Sequence, residues 1–294
     1  MNTHALEALL LRAAAGTMRG LSWRASLGVG AGLGDVLRLA GLRRRVAERN
    51  LELASPGWSA AERAHILRDH YRELGRIAAE YSRMPELVRA APGEIVAEVR
   101  GEEHLESALR GGRGAILMTG HYGNFELLGA WLGRRHPLDF VVKPLNNPHT
   151  ERWVLRARER SGVGTLRSDL HVRRIYEALR ANRWVAMLAD QAARRAGIFV
   201  PFMGRPASTA TGPARIALAT GAPIVMGFAV RAADGRHVLE IDPPYLAEGR
   251  GEEAVARVTA WHTARLEAWV RRHPYNWFWL HRRWKTVPRP SAGV

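Results

Sequence analysis

Cysteine is absent from the 294 residues of this chain. The absence excludes a disulfide framework, a thiolate nucleophile and a cysteine-ligated metal site, and it fits a reducing, cytoplasmic-side location. Internal repeats and low-complexity linkers are lacking as well. The hydrophobic content is 47%, which is ordinary for a globular protein with a substantial core and argues against a disordered chain.

Lysine is nearly absent, because only Lys143 and Lys285 occur among the 44 basic residues. A GC-rich coding bias explains arginine over lysine without any functional reason. The formal net charge of +16 nevertheless has a physical consequence. A basic surface attracts phosphate-bearing partners such as nucleic acid or anionic lipid headgroups, and it attracts acidic proteins. Composition alone does not choose among these.

A long uninterrupted apolar run is also missing. The best candidate, residues 21–41, is broken by Arg24, Asp35 and Arg38, which leaves ten uncharged residues. That length is about half of what a membrane-spanning helix requires. The preceding stretch, residues 3–18, reads as a helix with one apolar face formed by Leu6, Leu9, Leu10 and Ala13. Such a helix either lies in a membrane interface or packs on its own domain.

The sequence pattern of the chain changes near Pro92. Residues 1–92 show helical patterns, including a capping box at Ser59 and Glu62, and they form a helical N-terminal segment that can contact a membrane interface. Residues 93–294 alternate helical patterns with short apolar runs: EIVAEVR, GAILMTG, LDFVVKPL, WVAMLAD, GIFVPFM, APIVMGFAV and HVLEIDPPY. The alternation predicts an α/β fold with a largely parallel central sheet flanked by helices, packed as one unit.

One stretch carries candidate chemistry, AILMTGHYGNFELLGAWLG at residues 115–133. GAILMTG reads as a buried strand and FELLGAWLG as the helix after it. His121 and Glu126 are five residues apart, about 140° around a helix, so we expect His121 in the turn and Glu126 in the first helical turns, with Asn124 as a cap. The positive end of the helix keeps the imidazole neutral, and the carboxylate can orient it. A structural histidine in a turn is the simpler alternative.

The stretch GHYGNFE resembles the GHxGNxE block of the bacterial lipid A late acyltransferases, the lauroyl and myristoyl transferases of the lysophospholipid acyltransferase superfamily. Other blocks match that family in order over roughly residues 40–285. They are RRRVAERNLELASPGWSAAER, NNPHTERWVLRARERSG, VAMLADQAARRAGIFVPFMGRPASTATGPARIALATGAPIV and WFWLHRRWK. Two departures are an acidic residue missing after the Asp-Gln pair and a degraded N-terminal anchor.

The resemblance implies an O-acyltransferase that needs no cofactor and no metal. A fatty acyl chain would pass from an acyl carrier protein thioester to a hydroxyl of a lipid A precursor, with His121 as general base and Glu126 as its partner. Acyl-CoA-dependent acylation of another lipid, such as a phosphatidylinositol mannoside, is the alternative. The expected partners are the acyl donor, the lipid acceptor and an anionic membrane surface. The expected location is the cytoplasmic face of a bacterial inner membrane, to which the protein would attach peripherally or monotopically.

Nucleic acid is not an expected partner, because the chain shows no helix-turn-helix, RNP or zinc pattern. The absence of a GxSxG stretch also disfavours a covalent acyl-enzyme. The aromatic and basic stretch at residues 277–285 is interpreted as part of the domain core with a basic rim.

Four further residues are candidates for substrate binding. Arg158 and Arg160 lie on one predicted helix, about 200° apart, so only one of them can face a ligand while the other is surface charge. The family match assigns at least one to a phosphate. Asp190 and Gln191 end a predicted strand, where ligands gather in parallel sheets, although they can equally cap the next turn.

Overall fold

The computed structural model describes residues 3–168, 172–193 and 197–288, except for the side chains of residues 3, 6 and 10. The N-terminal segment is helical, as predicted. The α4 helix begins with the expected capping box, in which Ser59 accepts from the Glu62 amide and the Glu62 carboxylate accepts from the Ser59 amide. The helices here are α1 (Thr3–Gly20), α2 (Trp23–Leu39), α3 (Arg44–Ala54), α4 (Ala60–Tyr81) and α5 (Met84–Leu87).

Strands and helices alternate in the rest of the described chain. The strands are β1 (Val96–Arg100), β2 (Ala115–Thr119), β3 (Leu138–Val142), β4 (Val163–Arg167), β5 (Trp184–Leu188), β6 (Gly197–Phe202), β7 (Arg205–Ala210), β8 (Ile224–Arg231) and β9 (His237–Ile241). The helices are α6 (Glu103–Leu109), α7 (Phe125–Gly133), α8 (Pro148–Arg160), α9 (Val172–Arg180), α10 (Gly212–Thr220), α11 (Gly251–Arg272) and a 3₁₀ turn at Pro274–Asn276.

In the described part of the chain, seven strands form the central sheet in the order β1-β9-β8-β2-β5-β3-β4. The pair β8 and β9 is antiparallel, and the other neighbours are parallel. The predicted α/β fold with a mostly parallel sheet is therefore confirmed. The central strand β2 is buried along its whole length, which explains its continuous apolar sequence.

Three strands differ from the sequence interpretation. The apolar run GIFVPFM forms β6, which pairs with β7 in a separate antiparallel hairpin instead of joining the central sheet. Neither β4 nor β7 was expected. The β4 sequence VGTLR is only partly buried at the sheet edge, and the β7 sequence RPASTA is rich in small and polar residues, so neither shows an apolar strand pattern.

Helices α3 and α4 share one apolar core with the sheet. Leu51 and Tyr71 belong to the same buried cluster as Ile116, Met118 and Trp277. The N-terminal helices therefore pack directly on the strands that carry the candidate chemistry. The boundary at residues 92 and 93 stays a prediction.

Helix α2 packs on α4 through glycines. A Cβ added at Gly30 would lie 2.4 Å from the carbonyl oxygen of Gly75, and one at Gly34 would lie 2.1 Å from that of Tyr71. Only glycine permits this approach. Beside this contact, α2 exposes several large apolar side chains: Val29, Leu33, Val36, Leu37 and Leu39.

Among the described residues, no single helix has both the length and the apolar character to cross a bilayer. Helices α2 and α3 reach that length and composition only as a pair, and the chain bends by 90° between them. On α1, the predicted apolar face is exposed at Leu9 and Ala13, and the side chains of Leu6 and Leu10 lie outside the described part.

Candidate functional site

His121 lies in the turn between β2 and α7, where the sequence predicts it. The strand ends at Thr119, and the helix begins at Phe125 with Glu126 in its first turn. Asn124 is the N-cap, and its side-chain oxygen accepts a hydrogen bond from the amide of Leu127. The predicted strand, turn and capped helix are confirmed, and the turn presents the His121 ring at the carboxyl end of the central strand.

The carboxylate bonded to the His121 ring is Asp190. Because β2 and β5 are parallel neighbours, the residues that follow them meet at one edge of the sheet. The Nδ1 atom of His121 is 2.8 Å from Oδ1 of Asp190, and the backbone amide of His121 donates to Oδ2 at 2.9 Å. The indole N–H of Trp277 donates to the same Oδ2 at 3.0 Å. Three N–H groups therefore hold a carboxylate that is only 2% exposed.

These contacts define how the imidazole is used. The Nδ1 atom faces a carboxylate and therefore carries a proton in the neutral ring. The Nε2 atom lies 3.3 Å from the amide nitrogen of Gln191, which is a donor, so Nε2 presents its lone pair. The His121 side chain is 32% exposed, whereas Asp190 is covered. The ring is thus anchored on its buried side and accessible as a base on the other.

Within the described part of the chain, Glu126 forms no hydrogen bond with the His121 ring, whereas we expected from the sequence that it orients the imidazole. It forms a two-point ion pair with Arg158, in which Nε and Nη2 donate to the carboxylate at 3.1 and 2.5 Å. Both side chains are largely buried. Helix α8 brings Arg158 against the start of α7, and the paired guanidinium fixes the direction of the Glu126 carboxylate.

The two candidate arginines of α8, Arg158 and Arg160, have different environments, as their spacing predicts. Arg158 is part of the buried pair with Glu126, whereas the side chain of Arg160 is exposed. The carbonyl oxygen of Arg160 accepts a hydrogen bond from Arg89. The structure therefore brings His121, Glu126, Arg158, Asp190 and Gln191 to one edge of the sheet and leaves the Arg160 side chain at the surface.

Burial and charge shift the proton affinities in this group. Burial disfavours the imidazolium of His121, but the charge and hydrogen bond of Asp190 outweigh it, with a further contribution from Glu126, and the pKa is raised above 6.5. Burial opposes ionisation of Asp190. The charge of His121 and the N–H groups around the carboxylate nevertheless lower its pKa to about 2. Asp190 is therefore an anion at every pH at which His121 titrates.

A buried ionic cluster supports the turn from the N-terminal side. The side-chain amide of Asn124 donates to Glu80 of α4 at 2.8 Å, and Glu80 is fully buried. Arg231 donates to Glu80 and to Glu73, and the Nε2 atom of His237 lies 3.0 Å from Glu80. Sequence reasoning missed this cluster. Its signal was a pair of acids, Glu73 and Glu80, one helical heptad apart on the apolar face of α4.

Comparisons with known proteins show the family of this chain. A family model for bacterial lipid A biosynthesis acyltransferases matches residues 12–286. A lipid A biosynthesis lauroyltransferase of Escherichia coli (strain K12) is 30% identical over 269 residues, which are 88% of this chain and 85% of that protein. The lipid A biosynthesis palmitoleoyltransferase of the same strain is 29% identical over 253 residues, 84% of this chain and 80% of that protein.

A relative with another name is similar to the same degree. The phosphatidylinositol mannoside acyltransferase of Mycobacterium tuberculosis (strain CDC 1551 / Oshkosh) is 30% identical over 219 residues, 71% of this chain and 67% of that protein. The family match nevertheless extends over almost the whole chain and includes the turn with His121, the pair Asp190 and Gln191, and helix α8. This chain is an O-acyltransferase that belongs to the bacterial lipid A biosynthesis acyltransferase family.

Proposed function

We propose that this enzyme transfers a fatty acyl chain from an acyl carrier protein thioester to a hydroxyl group of a lipid A precursor. The observation that carries the proposal is the His121 imidazole, anchored by Asp190 with its Nε2 lone pair accessible. The lipid A relatives support the acceptor class. The net charge of +16 suits both an acidic carrier protein and a phosphorylated lipid.

The chemistry is a direct transfer between substrates. Nε2 of His121 takes the proton of the acceptor hydroxyl as its oxygen attacks the thioester carbonyl carbon. The tetrahedral intermediate collapses, the carbon–sulfur bond breaks, and the imidazolium returns its proton to the leaving thiolate. No acyl-enzyme is needed, since the chain has no cysteine and the thioester is already activated.

The surrounding side chains divide the remaining tasks. Asp190 keeps the proton on Nδ1 and stabilises the imidazolium when it forms. Glu126 acts with His121 through its charge, without a hydrogen bond to the ring, and Arg158 fixes its position. Gln191 holds the Nε2 side of the ring until the acceptor hydroxyl replaces it. We also assign the predicted phosphate contact to Arg158, through the N–H groups that Glu126 does not use.

A second candidate is transfer from acyl-CoA to another glycolipid, such as a phosphatidylinositol mannoside. The mycobacterial relative favours it, because its identity of 30% equals that of the lauroyltransferase. The two candidates use the same base and the same transfer step. They differ only in donor and acceptor.

The assay that separates them pairs purified protein with each donor and each acceptor. Acyl carrier protein and CoA thioesters of several chain lengths are combined with detergent-dispersed lipid A precursor, phosphatidylinositol mannoside and lysophospholipid, and product masses are read. We expect acylated lipid A precursor with the carrier protein donor, and at least about a hundredfold less product with His121→Ala. Acylation of mannoside from CoA alone would support the second candidate, and no acylated lipid in any combination would contradict both.

Attachment to the cytoplasmic face of the bacterial inner membrane is part of the proposal. The exposed face of α2 presents Val29, Leu33, Val36 and Leu37 in a row at helical spacing. It is followed by an open groove lined by Arg43, Arg44 and Arg45. Apolar side chains next to arginines are the composition of a surface that lies in an anionic membrane interface. This placement supports a peripheral or monotopic association.

Replacements of His121 and of Asp190 should change turnover and its pH dependence in different ways. We expect His121→Ala to lose about 10²–10⁴-fold in turnover with little change in thermal melting. In the wild type, kcat/KM should fall as the pH drops through the raised pKa of His121, since the neutral ring is the base. Asp190→Asn removes the charge that raises this pKa, so the acid limb should move to lower pH while the plateau falls. An unmoved limb with an unchanged plateau would contradict the role of Asp190.

The arginines of α8 provide a matched pair. Arg158→Lys keeps the charge but loses the two-point contact with Glu126, and we expect turnover to fall at least about tenfold. Arg160→Lys, on the same helix but exposed, should behave like the wild type. Steady-state kinetics with donor and acceptor varied separately measures both. Wild-type kinetics of both variants would show that the two-point pair with Glu126 has no part in the reaction.

Membrane attachment is tested on vesicles and on native membranes. High salt should release part of the protein, since charge attraction is screened, and Leu33→Asp should weaken binding to anionic vesicles. Leu246→Asp is the control, because Leu246 is exposed but lies outside the N-terminal helices. Complete retention through salt and alkaline washes would indicate an integral anchor and contradict peripheral attachment.

A further inference from the structure

Arg283 is a buried cation without an acidic partner in hydrogen-bond contact. Its residue is only 1% exposed. Nη1 donates to the carbonyl oxygen of Ser208 and Nη2 to the hydroxyl of Thr209, each at 2.6 Å. Both acceptors are neutral groups of β7, and within the described ranges Arg283 forms no ion pair, whereas the buried Arg231 has two. A buried charge without a paired carboxylate is costly, so its position calls for a reason.

A small cavity joins Arg283 to Asp190. Its volume is about 10 Å³, room for one water molecule, and its polar lining residues are Thr119, Asp190, His262, Thr263 and Arg283. Two buried nitrogens of that lining, Nε of Arg283 and Nε2 of His262, have no hydrogen-bond partner among the described residues. The Asp190 carboxylate accepts three N–H groups and retains acceptor capacity for a fourth.

We propose that this cavity binds one water molecule that links Arg283 and His262 to Asp190, and that Arg283 is thereby a positioning residue for His121. The water accepts the Nε proton of Arg283, donates to the carboxylate and shares its remaining hydrogen bond with Nε2 of His262. The arrangement satisfies every orphaned nitrogen of the cavity. This inference rests on the proposed function, in which His121 is the base.

The positive charge of Arg283 acts on His121 and on its partner Asp190. Arg283 favours the carboxylate of Asp190 and disfavours a second positive charge on the imidazole. Burial lowers the pKa of Arg283 to about 10, an effect that the Asp190 charge opposes, so the guanidinium remains charged at neutral pH. The other titratable groups that act on His121 or Asp190 are Glu126 on α7, His262 on α11 and His281 in the C-terminal segment. Burial lowers the pKa of both histidines to about 4, which leaves them neutral.

The charge of Arg283 keeps the pKa of His121 lower than Asp190 alone would set it. Replacing Arg283 by a neutral residue leaves the Asp190 charge unopposed on that side, and the imidazolium of His121 becomes more stable. Its pKa therefore rises, and a larger fraction of the base is protonated near neutral pH. A purely structural role for Arg283 would lower the amount of folded enzyme without moving this titration.

The experiment measures the titration of His121 directly, in protein labelled with ¹³C in its histidine rings. Arg283→Gln keeps N–H donors for Ser208 and Thr209 but removes the charge, and we expect the midpoint of His121 to rise by at least about half a pH unit. Arg283→Lys keeps the charge and should titrate like the wild type. Arg282→Met is the control, because Arg282 is the exposed neighbour. The acid limb of kcat/KM should move with the midpoint.

Two results would overturn the inference. One is a folded Arg283→Gln protein in which His121 titrates as in the wild type. The other is a wild-type crystal structure, at a resolution that shows ordered solvent, in which the cavity is dry, and this test needs no variant to fold. Neither measurement depends on turnover, so failure of the proposed reaction in the acyl-transfer assay remains distinguishable from failure of this inference.

Discussion

The Asp190 carboxylate organises the site, because it accepts N–H groups from two separate parts of the chain. It receives the ring and the backbone amide of His121 from the turn after β2, and the indole of Trp277 from the C-terminal segment. Each donor is buried or partly buried, where an unpaired polar group would cost about 1–3 kcal/mol. One acid therefore determines where the turn, the ring and the C-terminal segment meet. The proposed base inherits its tautomer and its direction from that contact.

The N-terminal helices complete the same arrangement from the other side. Glu80 on α4 accepts from Asn124, the residue that caps α7. Arg231 forms an ion pair with Glu80, and the His237 ring lies within hydrogen-bond distance of it. A buried ionic cluster adds little net stability, but it specifies one geometry because each broken contact leaves a charge unpaired. The helical segment thus contributes to the position of the turn that carries His121, in addition to the apolar surface that we assign to the membrane. Removing it would disturb the site as well as the attachment.

Local patterns predicted the parts of the site that are close in sequence. The turn with His121, the Asn124 cap and the capping box of α4 depend on residues only a few positions apart, and all three are confirmed. Spacing also predicted that only one α8 arginine enters the site, but choosing Arg158 required the orientation of that helix. The partner of His121 is 69 residues away and is set by the pairing of β2 with β5, which no local pattern encodes. Strands β4 and β7 were missed because they lack an apolar period.

The most direct test is to determine which ring nitrogen of His121 carries the proton when the imidazole is neutral. Nitrogen-15 NMR of protein labelled in its histidine rings, with the signal assigned through His121→Gln, distinguishes the protonated ring nitrogen from the one with a lone pair. The account predicts a proton on Nδ1, bonded to Asp190, and a lone pair on Nε2. A neutral ring protonated on Nε2 would contradict it, because the accessible nitrogen would then be unable to accept the proton of the acceptor hydroxyl.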